Sequence, residues 1–437
     1  MRVLTQRFWQ GGAGRAIHLD TAVAFWSMGD STCTVGKDSK LAILFTTFPK
    51  TSESFLQREV DAMFASGLEP ALYSLWGGGG EFRGRRVSTF NKWRLVPLLL
   101  LIIPWNCVRR PRIVRDLFAG VFSRRAPSWL NFWENMLGAG FAGVAYRSEF
   151  RAAQPAFIHA PWGGAPATAA WLLWRVLGVP YSVGVHAYDL YEHGGDWWLL
   201  GKVAHARFVR TSTLMARDEL VRRGAPSEKI HCIRRGMAEF PVLKALRAGR
   251  TPLRIVCVAR LVEKKGLRRQ LAIYAALKEA GVEFEARIAG DGPLREEIGS
   301  RARDLGVAHC VQFLGEIPHG QVWTLLEWAD VLIHTGVVSA SGDRDGLPNV
   351  IPEAMSAGTL VVSSPAAAAT EAVHDGETGL VAPVDDPAAW VRALKQLAAD
   401  DAVAERLRAG ARRWTEENYD AHKNIGRLIA LCRAEMP

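Results

Sequence analysis

The sequence predicts an α/β protein of two Rossmann-like, doubly wound parallel-sheet domains that face each other across a cleft. Three observations carry this expectation. Short apolar runs of strand length alternate with helical stretches, twice over, and such alternation builds a parallel sheet covered by helices on both faces. The 437 residues are too many for one ordinary core and suit two domains of about 200 residues each. A hydrophobic content of 49 %, with no low-complexity tract, argues against a disordered chain.

Residues 1–39 read as a leader. Its apolar piece Ala22 to Trp26 is too short for a signal sequence, and Gly11 to Gly14 lacks the preceding strand that a phosphate loop needs. The first domain spans 40–238. It opens with a strand over Leu41 to Thr46, a polar loop, and an amphipathic helix over Phe55 to Ala65 capped by Ser52 or Ser54. Strands follow over Ala156 to His159 and Tyr181 to Val185, separated by a helix over Pro166 to Leu177. Ala206 to Arg210, a helix to Arg223, and Lys229 to Ile233 complete the alternation. The boundary falls near Gly236 to Leu246. The second domain, 239–418, has strands at Leu253 to Ala259, Glu283 to Ala289, Cys310 to Leu314 and Thr359 to Val362.

The stretch from Asp345 to Gly358 is the most informative in the chain. Gly346 and Pro348 break any preceding element, Asn349 can cap, Val350 to Ala357 have helix length, and Gly358 supplies the terminator. Free N–H groups and the positive end of the dipole at such an N-terminus favour a diphosphate. Glu353 lies one turn in and leans back toward that end, within reach of ribose hydroxyls, while Asp345 stays on the loop to meet the other end of the ligand. Taken alone, the segment also fits an ordinary loop and helix with a capping aspartate. Upstream, Arg260 follows the strand Leu253 to Ala259, with Lys264, Lys265 and Gly266 opening the next helix. Gly290-Asp-Gly-Pro293 and Gly315-Glu-Ile-Pro318 close the next two strands. Ligands of open α/β sheets bind off the carboxyl ends of strands, so these groups share one crevice. His186 ends the strand Tyr181 to Val185 and faces the cleft, although a lone histidine is as often structural.

Arg260 with Lys265, the Gly290 to Pro293 turn, Gly315 to Pro318 and the Asp345-x7-Glu353 pair resemble the donor half of the retaining family 4 glycosyltransferases of the GT-B fold. Phe48 to Glu59, His186 to Tyr191 and Tyr419 to Asn424 are similar to the subgroup that builds bacterial exopolysaccharides such as colanic acid. The resemblance covers roughly residues 40 to 435. It implies transfer of a hexose, with retention, from a UDP- or GDP-linked sugar to a polyprenyl-diphosphate-linked saccharide, with no cofactor and no metal.

Arg260 and Lys265 would stabilise the leaving diphosphate, His186 and Asp345 would contact the sugar, and Glu353 would anchor ribose. Backbone near Glu316 and Ile317 would read the base, and Gly290, Gly292, Leu347, Pro348 and Asn349 complete the donor set. Lys50, Ser52, Ser54 and His159 would line the acceptor side. The last helix, Ala421 to Arg433 within 419–437, resembles the segment that crosses back onto the first domain. Three positions depart from the family pattern. Asp345 stands where glutamate is usual, Pro352 removes an N–H from the first helical turn, and Gly236-Met-Ala-Glu replaces a common Gly-Val-Asp.

Charge is uneven. Residues 251–437 hold 21 Lys and Arg against 26 Asp and Glu, which leaves 33 against 18 for residues 1–250. The excess gathers over 81–130, where eleven Lys and Arg interleave with Trp93, Trp105 and Trp129 and with the apolar run Leu98 to Ile103. That run is far short of the roughly 20 residues of a spanning helix. The mixture suits the anionic inner face of the cell membrane. A solvated basic face over a buried apolar helix is the plainer alternative, and no nucleic-acid motif accompanies the patch. The six cysteines, without metal spacing, read as reduced thiols of a cytoplasmic protein. A catalytically silent nucleotide-sugar-binding protein of the same fold, and a phosphorylase, are the competing functions.

Overall fold

The structure, a computed structural model, describes residues 40–50, 53–89, 96, 100–101, 103–123, 128–136 and 147–436. The 1–39 leader and Ser52 lie outside them. The first domain is built on β1 (Leu41–Phe45), β2 (Ala71–Ser74), β3 (Glu81–Phe82), β4 (Arg85–Thr89), β5 (Phe157–Ala160), β6 (Tyr181–Val185), β7 (Val209–Thr211) and β8 (Ile230–Cys232). They form one sheet in the order β3-β4-β2-β1-β5-β6-β7-β8, parallel except for β3 against β4. The second domain carries β9 (Leu253–Val258), β10 (Phe284–Ala289), β11 (Val311–Gly315), β12 (Val331–His334), β13 (Leu360–Ser363) and β14 (Leu380–Val381). Their order is β11-β10-β9-β12-β13-β14, all parallel. This is the two-domain GT-B architecture that the sequence led us to expect.

Strands β1, β5 and β6 and strands β12 and β13 are buried along their whole length, as parallel strands covered on both faces must be. Helices Ala165–Leu177 and Leu199–His205 cover one face of the first sheet. The helix Ser54–Ala65 and the final helix Ala421–Ala434 share the core on the other face. The chain therefore returns to its first domain at the end. The two crossings touch, with Met237 N–H donating to Tyr419 O at 2.9 Å and Ala421 N–H to Met237 O at 3.0 Å.

Several local expectations need correction. Ala206 caps the helix Leu199–His205, so the strand expected from Ala206 begins only at Val209. Glu53, not Ser52 or Ser54, precedes the helix Ser54–Ala65, and no side chain caps it. Lys264 and Lys265 sit in a separate 3₁₀ turn, Glu263–Lys265, and Gly266 in the left-handed conformation starts the helix Leu267–Glu279. Strand β12 was not anticipated, yet it is central.

Its position decides where ligands can go. Strand order reverses between β9 and β12 in the second sheet and between β1 and β5 in the first, and a crevice opens off the carboxyl ends at each such switch. The loops after β9 and β12 carry Arg260 to Gly266 and Thr335 to Asn349.

Candidate active site

The switch point of the second sheet gathers most of the expected donor residues. Gly290 N–H donates to Gly315 O at 2.7 Å and Leu261 N–H to Asp291 O at 2.9 Å, which clasps the turn after β10 onto the end of β9. Gly290 has φ +131, and a Cβ there would collide with the carbonyl of Ala259. Only glycine satisfies both demands. Arg260 is exposed and makes no ion pair among the described residues, so its guanidinium is available to an anion. Glu316 is exposed and Ile317 half-buried beside them.

Helix Val350–Ala357 runs between the expected limits and ends at Gly358 with φ +82. Asn349 sits at its N-cap but does not cap it. Its Oδ1 instead accepts from the hydroxyl of Tyr419 at 2.6 Å, which ties this helix to the final crossing. Pro352 takes a first-turn position whose N–H would lack an intrahelical partner anyway. Glu353 is buried, and its Oε1 accepts from Arg58 Nη1 of the first domain at 3.1 Å. Leu347 and Pro348 are buried, and Leu347 packs into the core beneath the loop.

Asp345 and Lys265 are joined. Lys265 Nζ lies 2.7 Å from Asp345 Oδ2, Lys264 Nζ lies 2.7 Å from Asp343 Oδ2, and the side chains are 12 to 16 % exposed. Asp343-Arg-Asp345 is thus an Asp-x-Asp pair that the metal-free reading of the sequence overlooked, with each carboxylate held by a lysine. Among the described residues no three His, Cys, Asp or Glu group as metal ligands. Burial by itself would raise the Asp345 carboxyl, but Lys265 and His334 outweigh it and hold it well below the ordinary carboxylate range.

Residues 243–414 match the family model described as glycosyl transferases group 1. The second domain is a group 1 glycosyl transferase domain. Over nearly the whole chain two curated proteins are similar. The amylovoran biosynthesis glycosyltransferase AmsK of Erwinia amylovora is 26 % identical over 88 % of this chain and 96 % of its own. The putative colanic acid biosynthesis glycosyltransferase WcaL of Escherichia coli K12 is 28 % identical over 90 % and 100 %. Anabaena HepE, solved in complex with UDP and glucose, superposes with a TM-score of 0.65 at 14 % identity, covering 90 % of this chain and 98 % of its own.

In the first domain His186 follows β6 and is buried. Its N–H donates to Asp189 Oδ2 at 2.9 Å, its Nδ1 meets Ser212 Oγ at 3.2 Å, and its Nε2 is buried with no hydrogen-bond partner among the described residues. Burial, then the cations of Arg235 and Arg210, push this imidazole well below its usual range, so it is neutral. His159, expected to line the acceptor side, is instead buried. It lies within β5 at 2 % exposure, against Ser182 Oγ at 2.8 Å, and burial drives its pKa down to about 3. Lys50 pairs with Glu53 at 2.8 Å, and Ser54 is the first residue of its helix.

Sequence reasoning missed the residues that join the halves. Glu371 of the glycosyl transferase domain accepts from Leu214 N–H, Met215 N–H and Arg234 Nη2 at 2.9 to 3.0 Å. Arg344 stacks on Tyr191 at 4.4 Å. His334 was also missed. It ends β12 with its Nε2 3.7 Å from Asp345 Oδ2 and its Nδ1 3.0 Å from Ser363 Oγ. A histidine closing a short apolar run before a glycine was the available signal.

Proposed function

We propose that this protein is a retaining glycosyltransferase that moves a hexose from a UDP- or GDP-sugar to a lipid-linked saccharide during exopolysaccharide or surface polysaccharide assembly. The observation that carries this reading is the meeting, at one switch point, of Arg260, Lys265, the Gly290 to Gly292 turn and the Glu353 helix. As the anomeric bond breaks, the leaving diphosphate gains negative charge. Fixed cations and helix N–H groups aimed at it then stabilise the transition state without a divalent ion.

In this reading Arg260 meets the phosphates directly, and Lys265 shares its charge between them and Asp345. Glu353 keeps Arg58 on one oxygen and receives ribose hydroxyls on the other. Neutral His186 accepts or donates a hydrogen bond at the sugar rather than carrying charge to it. The relatives named for amylovoran and colanic acid biosynthesis support the polysaccharide assignment.

A polyprenyl diphosphate carrier at the inner face of the cell membrane fits the exposed groups of 81–130. Leu100 and Leu101 are 69 % and 68 % exposed, which does not suit a buried apolar helix, and Trp105 carries Arg109 5.0 Å over its ring. Arg83, Arg85 and Arg115 pair with Asp61, Glu69 and Asp116 and Arg110 donates to Val176 O, while Arg109 and Arg112 are exposed and make no ion pair among the described residues. Lys92, Trp93, Arg94, Arg124 and Arg125 lie outside those residues. No described helix is long and apolar enough to cross a membrane.

Purified protein titrated with UDP- and GDP-sugars tests the proposal. Ligand at 100 times its dissociation constant adds about 2.7 kcal/mol of stability, and donor hydrolysis or transfer persists in excess EDTA. The second reading, a catalytically silent binder, is favoured only by the short Asp345 and its capture by Lys265. Binding without turnover would select it, and turnover that needs added Mn²⁺ or Mg²⁺ would refute the metal-free donor site.

A further inference from the structure

Beside the donor crevice lies a cavity of about 110 Å³ in the first domain, whose lining includes Leu130, Asn131, Tyr188, Glu192 and His193. Its walls come from two short elements, the helix Trp129–Trp133 and the segment from Ala187 to Gly194. His186 immediately precedes the second of these, so Tyr188 stands two residues from its imidazole. His193 N–H donates to Ser341 O at 2.9 Å, on the loop that continues to Asp345. The cavity therefore sits at the seam of the two domains.

Of the polar lining, Ser128 and Asn131 are engaged, Ser128 Oγ accepting from Asn131 N–H at 3.3 Å. Glu134, Tyr188, Glu192 and His193 make no side-chain hydrogen bond or ion pair among the described residues. The nearby Asn131, Asn135, Asp196 and Lys202, by contrast, are all tied into one buried network. Glu134 lies one turn on from Leu130, with its carboxylate 3.2 Å from where a Cβ would stand on Gly164. Trp129 is 72 % exposed and Trp133 47 %, beside the Leu130 wall.

Carboxylates reject phosphates and polyanions but take charge-assisted hydrogen bonds from neutral hydroxyls. Flat aromatic and aliphatic faces meet the C–H face of a pyranose or an alkyl chain. A cation is the other partner for carboxylates, but the groups do not converge as metal ligands. A neutral polyol with an apolar face is what remains.

We propose that this cavity is part of the subsite for the acceptor's sugar ring, with Tyr188 and Glu192 on its wall and Glu134 beside it binding ring hydroxyls, and Leu130 with the neighbouring Trp129 and Trp133 meeting the apolar face and aglycone chain. It rests on the glycosyl-transfer reading and moves the acceptor away from Lys50 and His159. Burial, with Asp196 nearby, lifts Glu134 to about 7, so at neutral pH its carboxyl can also donate to a ring oxygen.

The probes are octyl β-glucopyranoside and octyl β-galactopyranoside below their micelle concentrations, observed by saturation-transfer NMR on the full chain. Wild type should show saturated ring protons. Tyr188→Phe and Glu192→Gln should each cut those signals at least fivefold, with unchanged melting temperature and nucleotide binding, and Glu134→Gln repeats the test should either fold poorly. Ring signals that are absent in wild type, or unchanged in folded variants, overturn the subsite. Binding of UDP or GDP is measured in the same samples. Its absence in wild type would overturn the donor reading, whatever the octyl glycosides show.

Discussion

Replacing Lys265 with methionine keeps the length of the side chain and removes the charge that faces Asp345 at 2.7 Å. Breaking a buried ion pair from one side costs about 3 to 5 kcal/mol. Here Lys264 at 3.8 Å and His334 at 3.7 Å still face the carboxylate, so we expect about 2 to 3 kcal/mol. For a domain of this size that is roughly 4 to 12 °C in Tm.

The loss must depend on pH, and its sign follows from Asp345. In wild type its folded pKa is depressed, so the pair's contribution is present above the ordinary aspartate range and lost as pH falls through the lower folded value. In the variant, burial is opposed by less positive charge and raises that pKa, so the penalty is present at pH 7.5 and shrinks toward pH 4.5. Thermal unfolding of both proteins at these two values is the assay, with turnover measured alongside. We expect kcat/KM to fall by two to three orders of magnitude, about 3 to 4 kcal/mol. An equal Tm difference at both pH values, or none, would refute the buried pair. Undiminished turnover would refute its place at the diphosphate.

Arg260→Ala should lose a similar factor in kcat/KM with Tm unchanged, because the side chain is exposed and unpaired; a large Tm shift would make it structural. Gly290→Ala should destabilise by at least about 2 kcal/mol in chemical denaturation, since φ +131 and the Ala259 carbonyl both exclude a Cβ, and a neutral result would mean that the turn relaxes. His334→Leu should weaken donor binding, read as KM, more than it lowers kcat, because His334 faces Asp345 and not the leaving group. The reverse split would place it at the reacting centre. Arg109→Glu with Arg112→Glu should abolish co-sedimentation with anionic vesicles in low salt, and binding insensitive both to these changes and to 1 M salt, where the Debye length is about 3 Å, would leave the patch a solvated face.

The amino-acid sequence by itself determined the fold class, because alternation of apolar runs and helical stretches is local and repeats twice. It also placed Val350–Ala357 and Tyr181–Val185 between their observed limits, since proline, glycine and unbroken apolar runs act on their own neighbours. The glycines of the Gly290 turn were legible for the same reason. What it left unread is non-local. Strand β12 is three apolar residues and a histidine, too short a run to stand out, and only its place beside β9 makes it the switch point that brings His334 to Asp345. The partners of the site residues were equally out of reach. Arg58 meets Glu353 across 295 positions, Glu371 meets Leu214 across 157, and Tyr419 takes the Asn349 side chain that local rules assign to a cap. His159 was expected on the acceptor side because strand ends are uncertain by a residue or two, and one residue of register decides whether an imidazole faces a cleft or a core. Local propensity marks which residues can hold a ligand; packing between distant segments decides which are free to do so.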